Sequence, residues 1–262
     1  MSKRPLASRG WLGVAAITVA GVLAAGIIAF LLSPATTTTA ADEFTPAQTN
    51  AIRNMIRSYI LENPEIIEEA VGVLQDRRIS QAIDQNWDDI TNPTDSFIAG
   101  NPKGDVTVVE FFDYRCPYCK QVQESVVKLR EEDPKIRVIY REFPILSEES
   151  NVAAHAAIAA KKQGKYLEFH DALMAARGNF SDDMIMTIAK KVGLDTDKLK
   201  TDMKSPEIDG IITRTRQLAE SIGVTGTPGF IFGRKLVPGA LDYDEMLSLI
   251  AQARSSKNAS GS

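Results

Sequence analysis

Two cysteines occur in the 262 residues, spaced Cys116-Pro117-Tyr118-Cys119. A C-x-x-C pair can ligate a metal, form a structural bridge, or cycle between dithiol and disulfide. A structural metal site takes about four ligands, and no third cysteine exists. The only histidines, His155 and His170, lie far downstream in a different helical stretch. A bridge closing so short a loop would constrain the unfolded chain little. Redox exchange therefore fits best, with the Cys116–Cys119 disulfide itself as the redox group and no metal or other cofactor called for. The competing class is a binding protein, a holdase or copper carrier, because soft thiolates suit copper(I).

The flanks supply the frame such chemistry needs. Val106 to Phe112 is β-rich and predicts a buried strand. Lys120 to Arg130 sets Val122, Val126, Val127 and Leu129 among polar residues, as in an amphipathic helix. Cys116 then falls where strand turns into helix N-terminus, and unpaired N–H groups with the positive dipole end favour a thiolate there. Pro117 suits the first helical turn, where its missing N–H costs nothing. Arg115 and Lys120 add cationic charge nearby. Cys119, one turn on, is expected to be more buried and to act as the resolving thiol. Tyr118, between the cysteines, is a packing residue or one that touches substrate and tunes the pair. Glu110 sits inside the apolar strand, where an unpaired carboxylate is costly to bury. It is either a functional buried acid or a strand residue facing solvent at an edge.

A second motif, Gly223-Val-Thr-Gly-Thr-Pro-Gly-Phe230, follows more than a hundred residues later. Together the two resemble the thioredoxin superfamily and, within it, the DsbA-type periplasmic oxidoreductases. Glu110 to Cys119 is similar to their active-site strand and helix start, and Thr225-Gly-Thr-Pro228 to their cis-proline loop. The resemblance implies an α/β thioredoxin fold in which Pro228 is cis and faces the cysteines. It implies that Thr227 offers backbone hydrogen bonds to an extended substrate, and that Glu110 helps move the Cys119 proton. Partners implied are exported proteins bearing thiols or disulfides and a membrane redox protein, DsbB-like or DsbD-like. Glutaredoxins share C-P-Y-C but are shorter and have no long insertion.

The spacing between motifs predicts that insertion. Lys135 to Phe143 reads as a second strand, parallel to the first. Helical patterns then cover Asn151–Lys162, Tyr166–Ala176, Asp182–Val192 capped by Ser181, and Ile211–Ile222. Such a stretch is too long for a loop and resembles the helical domain that DsbA relatives insert. The pattern after the second motif is a hairpin, Gly229–Leu236 and Val237–Ala240, then a helix over Tyr243–Arg254. His155, His170 and Trp87 read as packing or surface residues, and Glu131-Glu-Asp133 as a solvated helix end. Gly223, Gly226 and Gly229 form no phosphate loop, since a proline interrupts them and no helix follows.

The domain-like region is 96–258, with the insertion at about 147–222. Residues 45–95 precede it and are not required by a thioredoxin fold. Thr45-Pro-Ala-Gln48 has the form of a capping box with proline at the first position. Ile52, Met55, Ile56, Tyr59 and Ile60 follow on one face, then Ile66, Ile67, Ala70, Val71 and Leu74 after Pro64. Leu61 to Ala70 resembles the N-terminal region of ScsC-like proteins, which implies that 45–80 can join catalytic domains into a homo-oligomer. The other account is packing on the chain's own domain.

Trp11 to Leu32 is an apolar run of 22 residues, about 33 Å as a helix and enough to cross a bilayer. Lys3, Arg4 and Arg9 precede it and no Lys or Arg follows until Arg53, which predicts that the rest lies outside. Residues 1–32 are thus a signal-anchor in the inner membrane, or a signal peptide cleaved near Ala40-Ala41 in the linker 33–44. Either places the cysteines in a bacterial periplasm or envelope, where disulfides persist. The net charge of −4 gives no reason to expect nucleic acid.

Overall fold

The computed structural model describes residues 44–260. The expected anchor or signal segment, 1–32, and its cleavage site lie outside the described residues. Among the described residues, no helix is long and apolar enough to cross a membrane.

Helix α1 (Pro46–Glu62) forms one unit by itself and carries the expected capping box, the Thr45 side chain accepting from the Gln48 N–H. The remaining elements are α2 (Glu65–Gln85), α3 (Trp87–Ile90), β1 (Phe97–Gly100), β2 (Val106–Phe112), α4 (Pro117–Glu132) and β3 (Ile136–Glu142). Five helices follow: α5 (Glu148–Lys161), α6 (Tyr166–Ala175), α7 (Asp182–Lys191), α8 (Thr196–Asp202) and α9 (Pro206–Ser221). The chain closes with β4 (Gly229–Phe232), β5 (Lys235–Pro238) and α10 (Tyr243–Ser260).

The strands form one sheet in the order β1-β3-β2-β4-β5. β2 lies at its centre, parallel to β3 and antiparallel to β4. Central strands covered on both faces read as near-continuous apolar runs rather than alternating ones; β2 does so apart from Thr107 and Glu110, while β3 is interrupted by Arg137 and Arg141. On one face Val108, Phe112, Val138 and Tyr140 pack with α4, α10 and the inserted helices. On the other, Val109, Phe111 and Ile139 pack with Ile83 of α2, Ile90 of α3 and the C-terminal end of α9. This is an α/β thioredoxin-like architecture with a helical insertion between β3 and β4.

Three short elements have no counterpart among the predicted ones. α3 and β1 have four residues each. α8 is a short helix whose cap is visible in the sequence: Asp195 accepts from the Asp197 and Lys198 N–H groups. α9, predicted over Ile211–Ile222, begins earlier, at Pro206, with proline again in the first turn.

One loop position admits no side chain. A Cβ on Gly104 would stand 2.5 Å from backbone atoms of Arg137 and Ile136, at the start of β3. Gly104→Ala should cost roughly 1–3 kcal/mol of stability, read as a lower urea midpoint, with cysteine reactivity unchanged.

Candidate functional site

The approach to the cysteines is a tight turn. Asp113 follows β2 directly, and its carbonyl accepts from the Cys116 N–H at 3.0 Å. Cys116 is the N-cap of α4, and its Sγ accepts from the Cys119 N–H at 3.4 Å. Pro117 occupies the first helical turn, where no donor is lost. Both cysteines are free thiols. Cys119 is sealed in the core, Cys116 keeps a sliver of exposure, and Tyr118 between them is 60% exposed.

The second motif closes over the first. The Thr227–Pro228 peptide bond is cis, and β4 pairs with β2 from Gly229 onward, Gly229 opposite Phe111. That pairing brings the Thr227 carbonyl to Cys116 Sγ, whose thiol donates to it at 3.1 Å. Pro228 is buried, and its carbonyl accepts from Gly239 N–H at 2.9 Å. Two segments more than a hundred residues apart thus meet at one sulfur.

The two thiols differ sharply. Cys116 is lowered to about 6, first by the hydrogen bond from Cys119, helped by the N–H groups of Cys119 and Tyr118, with burial opposing. Cys119 is pushed far above the ordinary thiol range, first by burial. The cations named from sequence are engaged elsewhere. Lys120 Nζ donates to the carbonyls of Leu173, Met174 and Ala176 at the end of α6. Arg115 pairs with Glu149 at 3.0 Å and donates to the Gly178 carbonyl at 2.7 Å. Hydrogen bonding, first from the Cys119 thiol and then from the helix-end N–H groups, rather than their charge, makes the Cys116 thiol acidic.

Glu110 is fully buried on the central strand, and neither carboxyl oxygen has a hydrogen-bond partner. The edge reading is thereby overturned. Burial raises its pKa to about 8, the neighbouring Cys116 adds to this, and Arg130 opposes it. Glu110 lies beside Tyr140 of β3 in register, and the Tyr140 hydroxyl accepts from Arg130 at 3.0 Å. Asp113 went unnoticed in the sequence. Its carboxylate accepts from the N–H groups of Arg115, Ile145 and Leu146 at 2.7 to 3.0 Å. The one sequence hint was a carboxylate three residues before a cysteine at a strand end.

His155 sits on the insertion, paired with Asp209 at 2.9 Å. His170 is fully buried. Among the described residues no group of three or more His, Cys, Asp or Glu side chains could hold a metal ion. A cavity of about 630 Å³ lined by Trp87, Thr107, Phe232 and Arg234 contains neither cysteine. Cys116 instead sits beside the exposed side chain of Tyr118, where a protein chain could approach it.

A dithiol at a helix N-terminus, facing a cis-proline loop on a thioredoxin-like sheet with inserted helices, defines a DsbA-like protein. Residues 107–251 match the DSBA-like thioredoxin domain, and the chain belongs to that family. Residues 48–79 match the copper resistance protein ScsC N-terminal domain. Among solved structures, a thioredoxin-like oxidoreductase from Silicibacter pomeroyi is 45% identical, over 64% of this chain and 97% of that one, with a TM-score of 0.62. Thiol-disulfide exchange protein alpha-DsbA2 of Wolbachia pipientis is 33% identical over 68% and 97%, with a TM-score of 0.65. A linker-deleted ScsC of Proteus mirabilis is 27% identical over 82% and 98%, with a TM-score of 0.66. The chain spans 25% of the length of a matching curated Na(+)/H(+) antiporter NhaA from Salinispora tropica, 28% identical over 164 residues.

Proposed function

We propose that this chain is an envelope thiol–disulfide oxidoreductase that forms, exchanges or isomerises disulfides in exported proteins. The observation that carries it is the asymmetry of the pair: an acidic, reachable Cys116 against the Thr227 carbonyl, and a sealed, protonated Cys119. In the reducing direction the Cys116 thiolate attacks a substrate disulfide, forming a mixed disulfide and releasing one substrate thiolate. Cys119, once deprotonated, attacks the Cys116 sulfur, closing the Cys116–Cys119 disulfide and releasing the second substrate thiolate. Oxidation of substrate is the same sequence reversed.

Glu110 takes the Cys119 proton in this scheme. A carboxyl group held near neutrality can accept and return a proton at working pH, and its unpaired oxygens leave it free to do so. Thr227 and Pro228 hold the substrate backbone beside the sulfurs, and exposed Tyr118 touches it. A membrane partner, DsbB-like or DsbD-like, restores the pair. Location in the periplasm, by an anchor at 11–32 or after cleavage, rests on the sequence of residues 1–41.

Alkylation of reduced protein with iodoacetamide should rise with pH and be half-maximal near pH 6, following the Cys116 thiolate. Cys119 should stay unlabelled in the native fold throughout. A half-point near pH 9 would remove the basis of the assignment. The direction of exchange is read by acid quench and thiol alkylation in cells: mostly disulfide marks an oxidase, mostly dithiol an isomerase or reductase.

The second reading is a copper-binding or holdase protein, favoured by the copper resistance name of the domain that residues 48–79 match. Stoichiometric copper(I) binding with no disulfide turnover would establish it over exchange.

A further inference from the structure

The turn that presents Cys116 is Asp113-Tyr114-Arg115-Cys116, closed by the 3.0 Å hydrogen bond from Cys116 N–H to the Asp113 carbonyl. Each of its first three side chains is tied to the insertion or to the chain entering it. Asp113 accepts from the Ile145 and Leu146 N–H groups, and Arg115 reaches Glu149 of α5 and the Gly178 carbonyl. The Arg115 pair is a third exposed, whereas Asp113 and Tyr114 are each 1% exposed. Of these two, only Tyr114 meets side chains of the insertion, its ring meeting Phe112 and His170 edge-on.

Its hydroxyl enters a sealed polar cluster. Tyr114 Oη donates to Glu142 Oε1 at 2.9 Å, and Tyr166 Oη donates to the same oxygen at 2.7 Å. His170 Nδ1 lies 3.1 Å from Tyr114 Oη, so with Tyr114 donating to Glu142, Nδ1–H donates back to the phenol oxygen. His170 Nε2 has no partner, which fits a neutral ring, and burial lowers its pKa to about 3. Glu142 ends β3, while Tyr166 and His170 belong to α6. The cluster therefore joins the redox turn, the sheet and the insertion through one carboxyl oxygen.

Polar groups this deep are costly unless each is satisfied. An apolar side chain at position 114 would fill the same space without that demand. The exchange scheme uses none of the four residues, and the turn residue they hold stands two positions before the nucleophile. We infer that Tyr114, held by Glu142 and His170, is a positioning residue for Cys116, and that the insertion fixes the sulfur at the α4 N-terminus through this clasp. The inference rests on Cys116 being the nucleophile. Loosening the turn lets Sγ drift from the Cys119 N–H that stabilises its thiolate, so the thiol becomes less acidic.

The test is Tyr114→Phe in the full chain, which keeps the ring and removes one donor. The expected result is about three- to tenfold slower Cys116 alkylation at pH 6.5, the worth of about one net hydrogen bond, with the half-point moved to higher pH. The glutathione equilibrium should shift to a less oxidising pair by a similar factor. Glu142→Gln retains an acceptor for both phenols and should alkylate within about twofold of wild type, whereas Glu142→Leu should resemble Tyr114→Phe. A lower melting temperature with unchanged alkylation and glutathione equilibrium in Tyr114→Phe would overturn the inference, leaving a structural cluster only. If Tyr114→Phe does not fold, Glu142→Gln against Glu142→Leu gives the same comparison: an unchanged half-point in Glu142→Leu overturns the clasp. A wild-type protein whose Cys116→Ser variant still exchanges disulfides would instead overturn the nucleophile assignment itself.

Discussion

Cys116→Ser should abolish disulfide exchange, and Cys119→Ser should leave the protein covalently attached to its substrates. The two outcomes differ because the two sulfurs do. Cys116 caps α4 and carries the acidic thiol, so its loss removes the group that opens the substrate disulfide. A serine hydroxyl at that position is hardly ionised near neutrality and is a poor nucleophile toward sulfur. The fall should exceed about a thousandfold, on the scale of removing a covalent nucleophile. Without Cys119 the first step proceeds, but nothing within reach attacks the mixed disulfide. Non-reducing gels of envelope extracts should then show the chain in higher-mass bands that dithiothreitol collapses. Full exchange activity in Cys116→Ser would sink the mechanism.

Residues 42–262 should form an oligomer in solution, and deletion of 45–75 should yield a monomer with unaltered Cys116 alkylation. On α1 no residue is buried, and Met55, Ile56 and Tyr59 are each more than half exposed. On α2 the helix divides. Ile83 is buried and Ile79 packs against the sheet's second core, whereas Ile67, Val71 and Leu74 stand about half exposed. Packing within this unit therefore accounts for the end of α2 and leaves the apolar residues of its first half uncovered. Each large apolar side chain gains roughly 1.5–3 kcal/mol on full burial from an exposed state, so covering these five aliphatic residues and Tyr59 favours association even though each is already partly covered. The deletion stops at 75 to keep the two core isoleucines. Light scattering reads the result directly: monomeric 42–262 at micromolar concentration would assign the stripe to something other than a second copy. Ile56→Asp with Ile67→Asp should dissociate the assembly without removing any segment. An oligomer presenting several dithiols together would support the isomerase direction of exchange.

Much of this protein was legible from local chemistry. The C-P-Y-C spacing, the apolar run before it and the helical period after it specify a thiol at a helix N-terminus, because strand, cap and helix are neighbours in the chain. Ser181 and the Thr45–Gln48 box mark helix starts for the same reason. The Thr-Pro motif was readable through resemblance, although its place beside Cys116 is made by β4 pairing with β2. Local pattern also left Glu110 open between solvent and core. Only the sheet order decided it, since a strand becomes central when both neighbours arrive from distant sequence.

The cations show the opposite limit. Arg115 and Lys120 are adjacent to the cysteines in sequence, yet their heads reach Glu149, Gly178 and the end of α6. Long side chains respond to whatever acceptors the fold brings near, and the insertion brings carbonyls. Tyr114, Glu142, Tyr166 and His170 could not have been grouped from sequence, being separated by up to 56 positions and individually ordinary. By itself the sequence determined the redox pair, its helix cap and the class of fold, all carried by short-range patterns. The tertiary structure alone decided which buried groups surround the pair and how the insertion grips it, because burial and hydrogen bonding between distant segments exist only once the chain has closed.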